Sequence, residues 1–198
     1  MTTIYVVRHG ETEWNRGRRI QGATDIPLND TGREQARGAA QRLQALLAPT
    51  PVYVAASDLS RAQETAQIIA AGLGAQEVHT YEGLRERSYG DAEGMDIAEY
   101  YATYGPLGAD GSIAEPWDAV RARALTDLAR TVTDARASLG DDAQIVIVAH
   151  GGLIRELIRA ASDDVYPLEG ERLPNVAINT FILDDGALGL VEYDHIRA

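Results

Sequence analysis

The sequence predicts a layered α/β fold around a mostly parallel sheet. Short runs of apolar, often β-branched residues alternate with longer stretches in which apolar residues recur every three or four positions. An apolar run leads and a helical stretch follows, and this order indicates crossover connections between parallel strands. Ligands of such sheets bind beyond the carboxyl ends of the strands. The residues directly after each apolar run are therefore the first candidates for a functional site.

The predicted strands follow in chain order. They are TIYVV at 3–7, VYVAAS at 52–57, QIVIVAH at 144–150 and AINTFIL at 177–183. A further strand is expected just before LRERSYG at 84–90. The first strand ends in Arg8 and His9, the second leads into residues 57–61, and the QIVIVAH strand ends in His150 before two glycines.

Four helical patterns accompany these strands. From Thr31, apolar residues fall at spacings of three and four, and we expect Asp30 or Thr31 to cap this helix with Glu34 completing a capping box. A second pattern follows SDLS at 57–60, a third covers residues 117–139, and a fourth begins just after His150. The 198 residues contain no linker or repeat, which predicts a single domain over residues 1–198.

Composition excludes several chemistries. The chain has no cysteine, which rules out disulfides and thiolate catalysis, and all 18 basic residues are arginine, which rules out lysine-dependent phosphate loops and Schiff bases. The net charge of -12 disfavours nucleic acids and anionic membranes as partners. The start of the chain lacks a basic leader and its apolar runs are short, so we expect a soluble, cytoplasmic protein. A homo-oligomer is compatible with the sequence.

The strand ends together supply two histidines, two arginines and a glutamate: His9, His150, Arg8, Arg61 and Glu86. The GxSxG motif of serine hydrolases is absent. Arginine side chains near a histidine favour phosphoryl transfer instead, because the planar guanidinium group binds phosphate oxygens well. A neutral imidazole is a competent nucleophile near pH 7. Gly151 and Gly152 begin the fourth helix, and their backbone N–H groups are expected to face the same anion.

Four segments, in this order, resemble the histidine phosphatase superfamily, in its phosphoglycerate mutase-like branch. They are RHGETEWN at 8–15, SDLSRAQETA at 57–66, LRERSYGDAEG at 84–94 and AHGGLIREL at 149–157. The resemblance spans most of the chain. It implies a three-layer α/β/α sandwich, with a short cap segment at about 88–117 over the active site.

The resemblance also implies a role for each matching residue. His9 is the phosphorylated nucleophile, and Arg8, Arg61 and a protonated His150 hold the phosphoryl oxygens. Glu86 protonates the leaving alkoxide and then takes a proton from the attacking water. The substrate-binding set comprises Asn15, Gln21, Gly22 and Gly151. Neither a metal nor a cofactor is implied.

The composition of the cap favours a phosphatase over a mutase. Residues 88–117 contain no arginine, several acids including Asp110, and a set of tyrosines. Such a cap suits a small phosphate ester with a sugar-like or aromatic remainder better than a polyanion. Against this, Arg16, Arg18 and Arg19 lie close to the opening motif and could clamp a second anionic group.

Other interpretations stay open at this stage. A mutase-type phosphotransferase and a non-catalytic binding module of the same fold are alternatives, as is a metal hydrolase using His9, Glu11 and His150. Arg61 could instead pair with Asp58 or Glu64. The proton donor could be Asp91, Glu93 or Glu11 instead of Glu86, and Asn175 could either touch the pocket or form a turn.

Overall fold

The computed structural model describes residues 1–48, 51–105 and 113–197. The strands are β1 (Thr2–Arg8), β2 (Val52–Ser57), β3 (Val78–Tyr81), β4 (Gln144–Ala149), β5 (Glu171–Arg172), β6 (Ile178–Asp184), β7 (Ala187–Tyr193) and β8 (Ile196–Arg197). The helices are α1 (Glu13–Arg16), α2 (Asp30–Leu46), α3 (Ser60–Leu73), α4 (Ile97–Tyr104), α5 (Trp117–Leu139) and α6 (Gly151–Ala160).

The central sheet has six strands in the order β3-β2-β4-β1-β6-β7. Strands β3, β2, β4 and β1 run parallel, and β6 and β7 complete the sheet in antiparallel orientation. The predicted mostly parallel sheet is therefore confirmed. Arg8 pairs with Ala149 in the register of β1 and β4. This register brings the end of β1 beside the start of α6, and with it His9 beside His150.

Alternate residues of β1 face opposite layers of helices. Ile4 and Val6 pack with apolar residues of α5 and α6, whereas Tyr5 and Val7 pack with those of α2 and α3. This alternation follows from the two-residue period of a strand that is covered on both faces. The arrangement confirms the expected three layers.

The cap has a small core of its own. Tyr100 on α4 is fully buried against Ile20, Ala92 and Ala114. Asp96 begins α4 by accepting hydrogen bonds from the backbone N–H groups of Ala98 and Glu99. Residues 106–112 of the expected cap segment, including Asp110, lie outside the described residues.

One local prediction needs correction. The residue that caps α2 is Asn29, not Asp30 or Thr31, because the Asn29 side chain accepts a hydrogen bond from the N–H of Gly32. Helices α1 and α4 and strands β5, β7 and β8 were not predicted. Within the described ranges no helix is both long and apolar enough to cross a membrane; the cytoplasmic location stays a prediction.

Candidate active site

The predicted catalytic residues meet at one cavity of about 840 Å³ beyond the carboxyl ends of the parallel strands. Arg8, His9, Arg61 and Glu86 line it. His150 is fully buried beside His9, with its ring centroid 5.1 Å from that of His9. The polar side chains at the strand ends therefore lie together at this cavity, as the sequence predicts.

Hydrogen bonds fix the tautomer of His9. Its Nδ1 lies 2.7 Å from the carbonyl oxygen of Gly10. A carbonyl can only accept, so Nδ1 carries the proton and Nε2 keeps its lone pair. The pKa of His9 is lowered well below its ordinary value. The main cause is the burial of the ring, and the positive charges of Arg61 and Arg8 add to it. His9 is therefore a neutral imidazole at pH 7, and its Nε2 is available as a nucleophile.

Backbone carbonyls hold the two arginines of the site. Arg8 donates through Nη1 to the carbonyl of Leu173, at 2.5 Å. Arg61 donates through Nη1 to Thr24 and through Nη2 to Gly22, each at 2.8 Å. Burial lowers the pKa of Arg61 to about 10, which leaves it charged at neutral pH.

Arg61 does not form the local ion pairs that a first-turn helix residue often forms. Asp58 instead pairs with Arg85 at 2.6 Å, and Glu64 pairs with Arg33 at 2.6 Å. Thus the acids near Arg61 in sequence are already neutralised by other arginines. The positive charge of Arg61 is therefore not neutralised by either of these carboxylates.

His150 is neutral in the ligand-free protein. Burial, followed by the charges of Arg61, His9 and Arg8, lowers its pKa well below the ordinary value. The sequence-based expectation of a protonated His150 therefore does not hold for this state. A phosphoryl dianion next to the ring would favour the imidazolium through its opposite charge.

Several buried nitrogens of the site have no hydrogen-bond partner within the described part of the chain. They are Arg8 Nε, Arg61 Nε and both ring nitrogens of His150. Buried polar groups are normally paired, since an unmade hydrogen bond costs about 1–3 kcal/mol. These nitrogens belong to side chains next to His9. They could donate hydrogen bonds to the oxygens of a phosphoryl group bound at His9 Nε2.

The carboxylate of Glu86 occupies the amino terminus of α6. It accepts hydrogen bonds from the N–H groups of Gly152 at 2.9 Å, Leu153 at 3.1 Å and Arg87 at 2.9 Å. A Cβ atom on Gly152 would lie 2.6 Å from Glu86 Oε1, so glycine is required for this approach. The prediction that the N–H of Gly152 is free for the anion is therefore wrong, whereas Gly151 does line the cavity.

Arg123 on α5 holds the segment that carries Glu86. It donates to the carbonyls of Gly83 and Arg85, at 2.8 and 2.6 Å, and to the carbonyl of Glu86 at 3.1 Å. Glu115 pairs with the same guanidinium at 2.7 Å. Sequence analysis missed this residue, because nothing in the helical pattern of α5 shows which loop its arginines face.

Two amide side chains of the predicted binding set are oriented by Thr12. Gln21 Oε1 accepts from the Thr12 hydroxyl at 2.9 Å, and Asn15 Oδ1 accepts from the Thr12 N–H at 3.2 Å. Both residues line the cavity. Their oxygens accept from Thr12, and no residue of the described ranges accepts from their NH₂ groups, which can therefore donate to a ligand. Asn175 also lines the cavity and donates to the carbonyl of His9 at 3.0 Å.

Glu93 stabilises the loop at Gly22 through hydrogen bonds. Its carboxylate accepts from the N–H groups of Ala23 and Thr24, each at 2.8 Å, and from that of Tyr89 at 3.0 Å. Gly22 has a φ of +54° and lies so close to this carboxylate that a Cβ would meet it at 2.1 Å. Glu93 therefore supports the loop whose carbonyls hold Arg61.

Of the candidate proton donors, Glu86 alone lines the cavity. The carboxylate of Glu11 accepts from Asn29 at 2.8 Å, and Asp91 is exposed. In the described ranges no three His, Asp or Glu side chains converge as a group that could hold a metal ion. Glu86 is thus the acid whose position fits the predicted role.

The acids of the cap do not face the cavity in the described part of the chain. Asp91, Glu93, Asp96, Glu99 and Glu115 are all absent from its lining, whereas Tyr89, Tyr101 and Trp117 contribute to it. The described acids of the cap therefore do not contribute negative charge to the cavity wall, whereas its aromatic residues do line the cavity. Arginines outside the cap line the cavity instead, among them Arg18, Arg19, Arg155 and Arg172.

Comparison with known protein families identifies the superfamily of this chain. The family model for the histidine phosphatase superfamily (branch 1) matches residues 4–195, a range that contains every residue of this cavity. The chain belongs to this superfamily. The resemblance inferred from the four sequence segments is confirmed.

Relatives of this histidine phosphatase include phosphatases and a mutase-like protein. Phosphoglycerate mutase-like protein 4 of Arabidopsis thaliana is 41% identical, over 92% of this chain and 80% of its own length. The uncharacterized phosphatase PhoE of Bacillus subtilis (strain 168) is 35% identical, over 90% of this chain and 87% of its own. The crystal structure of a phosphoserine phosphatase from Entamoeba histolytica has a TM-score of 0.76 at 29% identity, covering 98% of this chain and 97% of that one.

The two buried histidines predict how the stability of this histidine phosphatase depends on pH. Below about pH 6.5 the unfolded chain binds protons that the folded protein, with its lowered histidine pKa values, does not bind. The contribution of these two histidines to the free energy of unfolding is therefore present in full above about pH 6.5. It falls below that pH, with a slope approaching about 1.4 kcal/mol per pH unit for each histidine.

Urea denaturation at several pH values between 7.5 and 5.5 measures this effect. The variant His150→Asn should lose a large part of the slope while keeping a neutral polar group in the same place. Parallel pH profiles for the variant and the parent would contradict the prediction.

Proposed function

We propose that this histidine phosphatase hydrolyses small phosphate monoesters without a metal ion, through a phosphohistidine intermediate on His9. The observation that carries the proposal is the neutral His9, with its Nε2 free, next to Arg8, Arg61 and His150, each of which has at least one buried nitrogen without a hydrogen-bond partner in the described ranges. Such a set binds and activates a phosphoryl group by position and charge.

In the first half-reaction His9 Nε2 attacks phosphorus and the ester P–O bond breaks. Arg8 and Arg61 stabilise the charge on the phosphoryl oxygens. The leaving alkoxide takes a proton from the carboxyl group of Glu86, which holds that proton while the phosphate dianion of the substrate lies beside it. In the second half, water attacks phosphorus, Glu86 takes a proton from that water, and the P–N bond breaks. Phosphate and neutral His9 are then restored, with Glu86 again protonated.

The walls beyond the phosphoryl site support an organic remainder on the substrate. Tyr89, Tyr101 and Trp117 line the cavity. The guanidinium of Arg87 lies 4.2 Å from the ring centroid of Trp117, which holds that ring in place. Aromatic faces of this kind suit a sugar-like or aromatic group.

A mutase reaction is the second candidate, since one relative is named as phosphoglycerate mutase-like. The two functions differ in the fate of the phosphohistidine. In a phosphatase, water removes the phosphoryl group, whereas in a mutase it passes to another hydroxyl of the substrate.

Phosphate release in the presence of EDTA tests the proposal across sugar phosphates, phosphoglycerates, nucleotides and an aryl phosphate. We expect stoichiometric release of inorganic phosphate and no effect of the chelator. Conversion of 3-phosphoglycerate to its 2-isomer without phosphate release would instead establish a mutase. Loss of all activity with EDTA, restored by a divalent metal, would overturn the metal-independent mechanism.

A further inference from the structure

A buried hydroxyl connects the loop after β1 to the first turn of α3. Thr65 on α3 is fully buried and is not among the residues that line the cavity. Its Oγ1 accepts a hydrogen bond from the N–H of Gly10 at 3.1 Å and donates one to the carbonyl of Arg61 at 2.7 Å. A hydroxyl has a single proton to donate, so the bond to Arg61 leaves a lone pair for Gly10. One side chain thus joins the backbone next to His9 to the backbone of Arg61.

Gly10 is the residue that orients the ring of His9. Its carbonyl oxygen lies 2.7 Å from His9 Nδ1 and accepts the proton of that nitrogen, which leaves Nε2 as the nucleophile. The N–H that Thr65 holds belongs to the same residue. A displacement of this N–H therefore also moves the carbonyl that sets the tautomer of His9.

Two further elements hold the backbone at Gly10. Asn175, in the segment before β6, donates to the carbonyl of His9 at 3.0 Å. A Cβ atom on Gly10 would lie 2.4 Å from the carbonyl oxygen of Gly32, so α2 packs directly against this backbone. Thr65 adds the contact from α3, and it is the contact that also reaches Arg61.

We propose that Thr65 is a positioning residue of the active site. Its hydroxyl keeps His9 in the tautomer with the proton on Nδ1 and fixes the position of His9 relative to Arg61. In-line attack requires reacting atoms about 3–3.5 Å apart, and a misplacement of about 1 Å costs about 100-fold in rate. This inference rests on the proposed phosphatase function and adds to it a residue that touches neither the substrate nor the reacting atoms.

Variants at position 65 separate the hydroxyl from the packing of the side chain. Thr65→Val removes the hydroxyl and keeps the shape, whereas Thr65→Ser keeps the hydroxyl and removes a methyl group. We expect kcat for p-nitrophenyl phosphate to fall by about 10- to 100-fold in Thr65→Val and by less than about threefold in Thr65→Ser.

Thr131→Val is the matched control for the loss of a buried threonine hydroxyl. Thr131 on α5 is equally buried and donates to the carbonyl of Asp127, four residues earlier, at 2.7 Å, as Thr65 does to Arg61. It lies outside the cavity lining. This variant should lose a similar amount of stability and keep the kcat of the parent.

Imidazole ¹H–¹⁵N correlation spectra of the ligand-free protein measure the tautomer directly, because protonated and unprotonated ring nitrogens differ in ¹⁵N shift. The chain has four histidines, and the signals of His9 are those missing in His9→Ala. We expect the proton on Nδ1 in the parent and in Thr131→Val, and a shift of the proton towards Nε2 in Thr65→Val. A general loss of stability does not change the tautomer of the folded protein.

The outcomes separate this inference from the proposed function. An unchanged tautomer in Thr65→Val, or an equal fall of kcat in Thr65→Val and Thr65→Ser, would overturn the role of the hydroxyl. If Thr65→Val does not fold, a parent protein with the His9 proton on Nε2 would overturn it just as well. No phosphate release by the parent would count against the phosphatase function, whereas the spectra would still show whether Thr65 orients His9.

Discussion

Replacement of His9 by alanine is expected to lower kcat for phosphate release by about four orders of magnitude or more. The Nε2 atom of His9 is the nucleophile, and no other group of the site can form the P–N bond in its place. His150, the other imidazole, is fully buried and does not line the cavity. Binding should survive in the variant, because Arg8 and Arg61 keep their carbonyl anchors.

Rapid-quench labelling with a ³²P-ester measures the intermediate directly. The parent should give a phosphoprotein that is stable in base and labile in acid, as expected of a phosphoramidate, and His9→Ala should give none. His79→Ala is the control, since His79 stacks on Tyr53 at 4.2 Å on the outer strand β3 and should keep full activity. Label of normal intensity in His9→Ala would show that another residue carries the phosphoryl group.

The sequence predicted the layers and the centre of the site because both depend on local patterns. Strands covered on both faces read as continuous apolar runs, and the parallel order of β1, β2 and β4 requires their ends to share one edge. Arg8, His9 and His150 could be placed together from this alone. Their order along the chain also carried the family resemblance.

Contacts between distant segments could not be predicted in the same way. The pairing of Glu86 with the amino terminus of α6 joins residues 66 positions apart, and the bond from Arg8 to Leu173 spans 165. Composition of the cap was misleading for the same reason. Its Glu93 accepts from a loop and its Glu115 pairs with Arg123, whereas the arginines that line the cavity lie on β1, α3, α6 and β5 and in the loop after α1.

The position of Glu86 predicts a result that depends on the leaving group. Replacement of Glu86 by glutamine is expected to slow hydrolysis of alkyl phosphates by about 10²- to 10⁴-fold, because a poor leaving group needs a proton as the P–O bond breaks. Turnover of p-nitrophenyl phosphate should fall by less than about tenfold, since that phenolate leaves without one. Steady-state kcat for both ester classes is the measurement, and Asp91→Asn, an exposed acid outside the cavity lining, is the matched control.

Thermal unfolding of the same variant separates the two roles of this carboxylate. Glutamine keeps one acceptor oxygen where glutamate has two, so the N–H of either Gly152 or Leu153 loses its partner and the variant should be less stable by about 1 kcal/mol. Equal slowing of both ester classes would show that Glu86 acts by holding α6 in place and not by proton transfer. A loss of stability with selective slowing of alkyl esters requires both roles, because a displaced helix terminus alone has no means of distinguishing one leaving group from another.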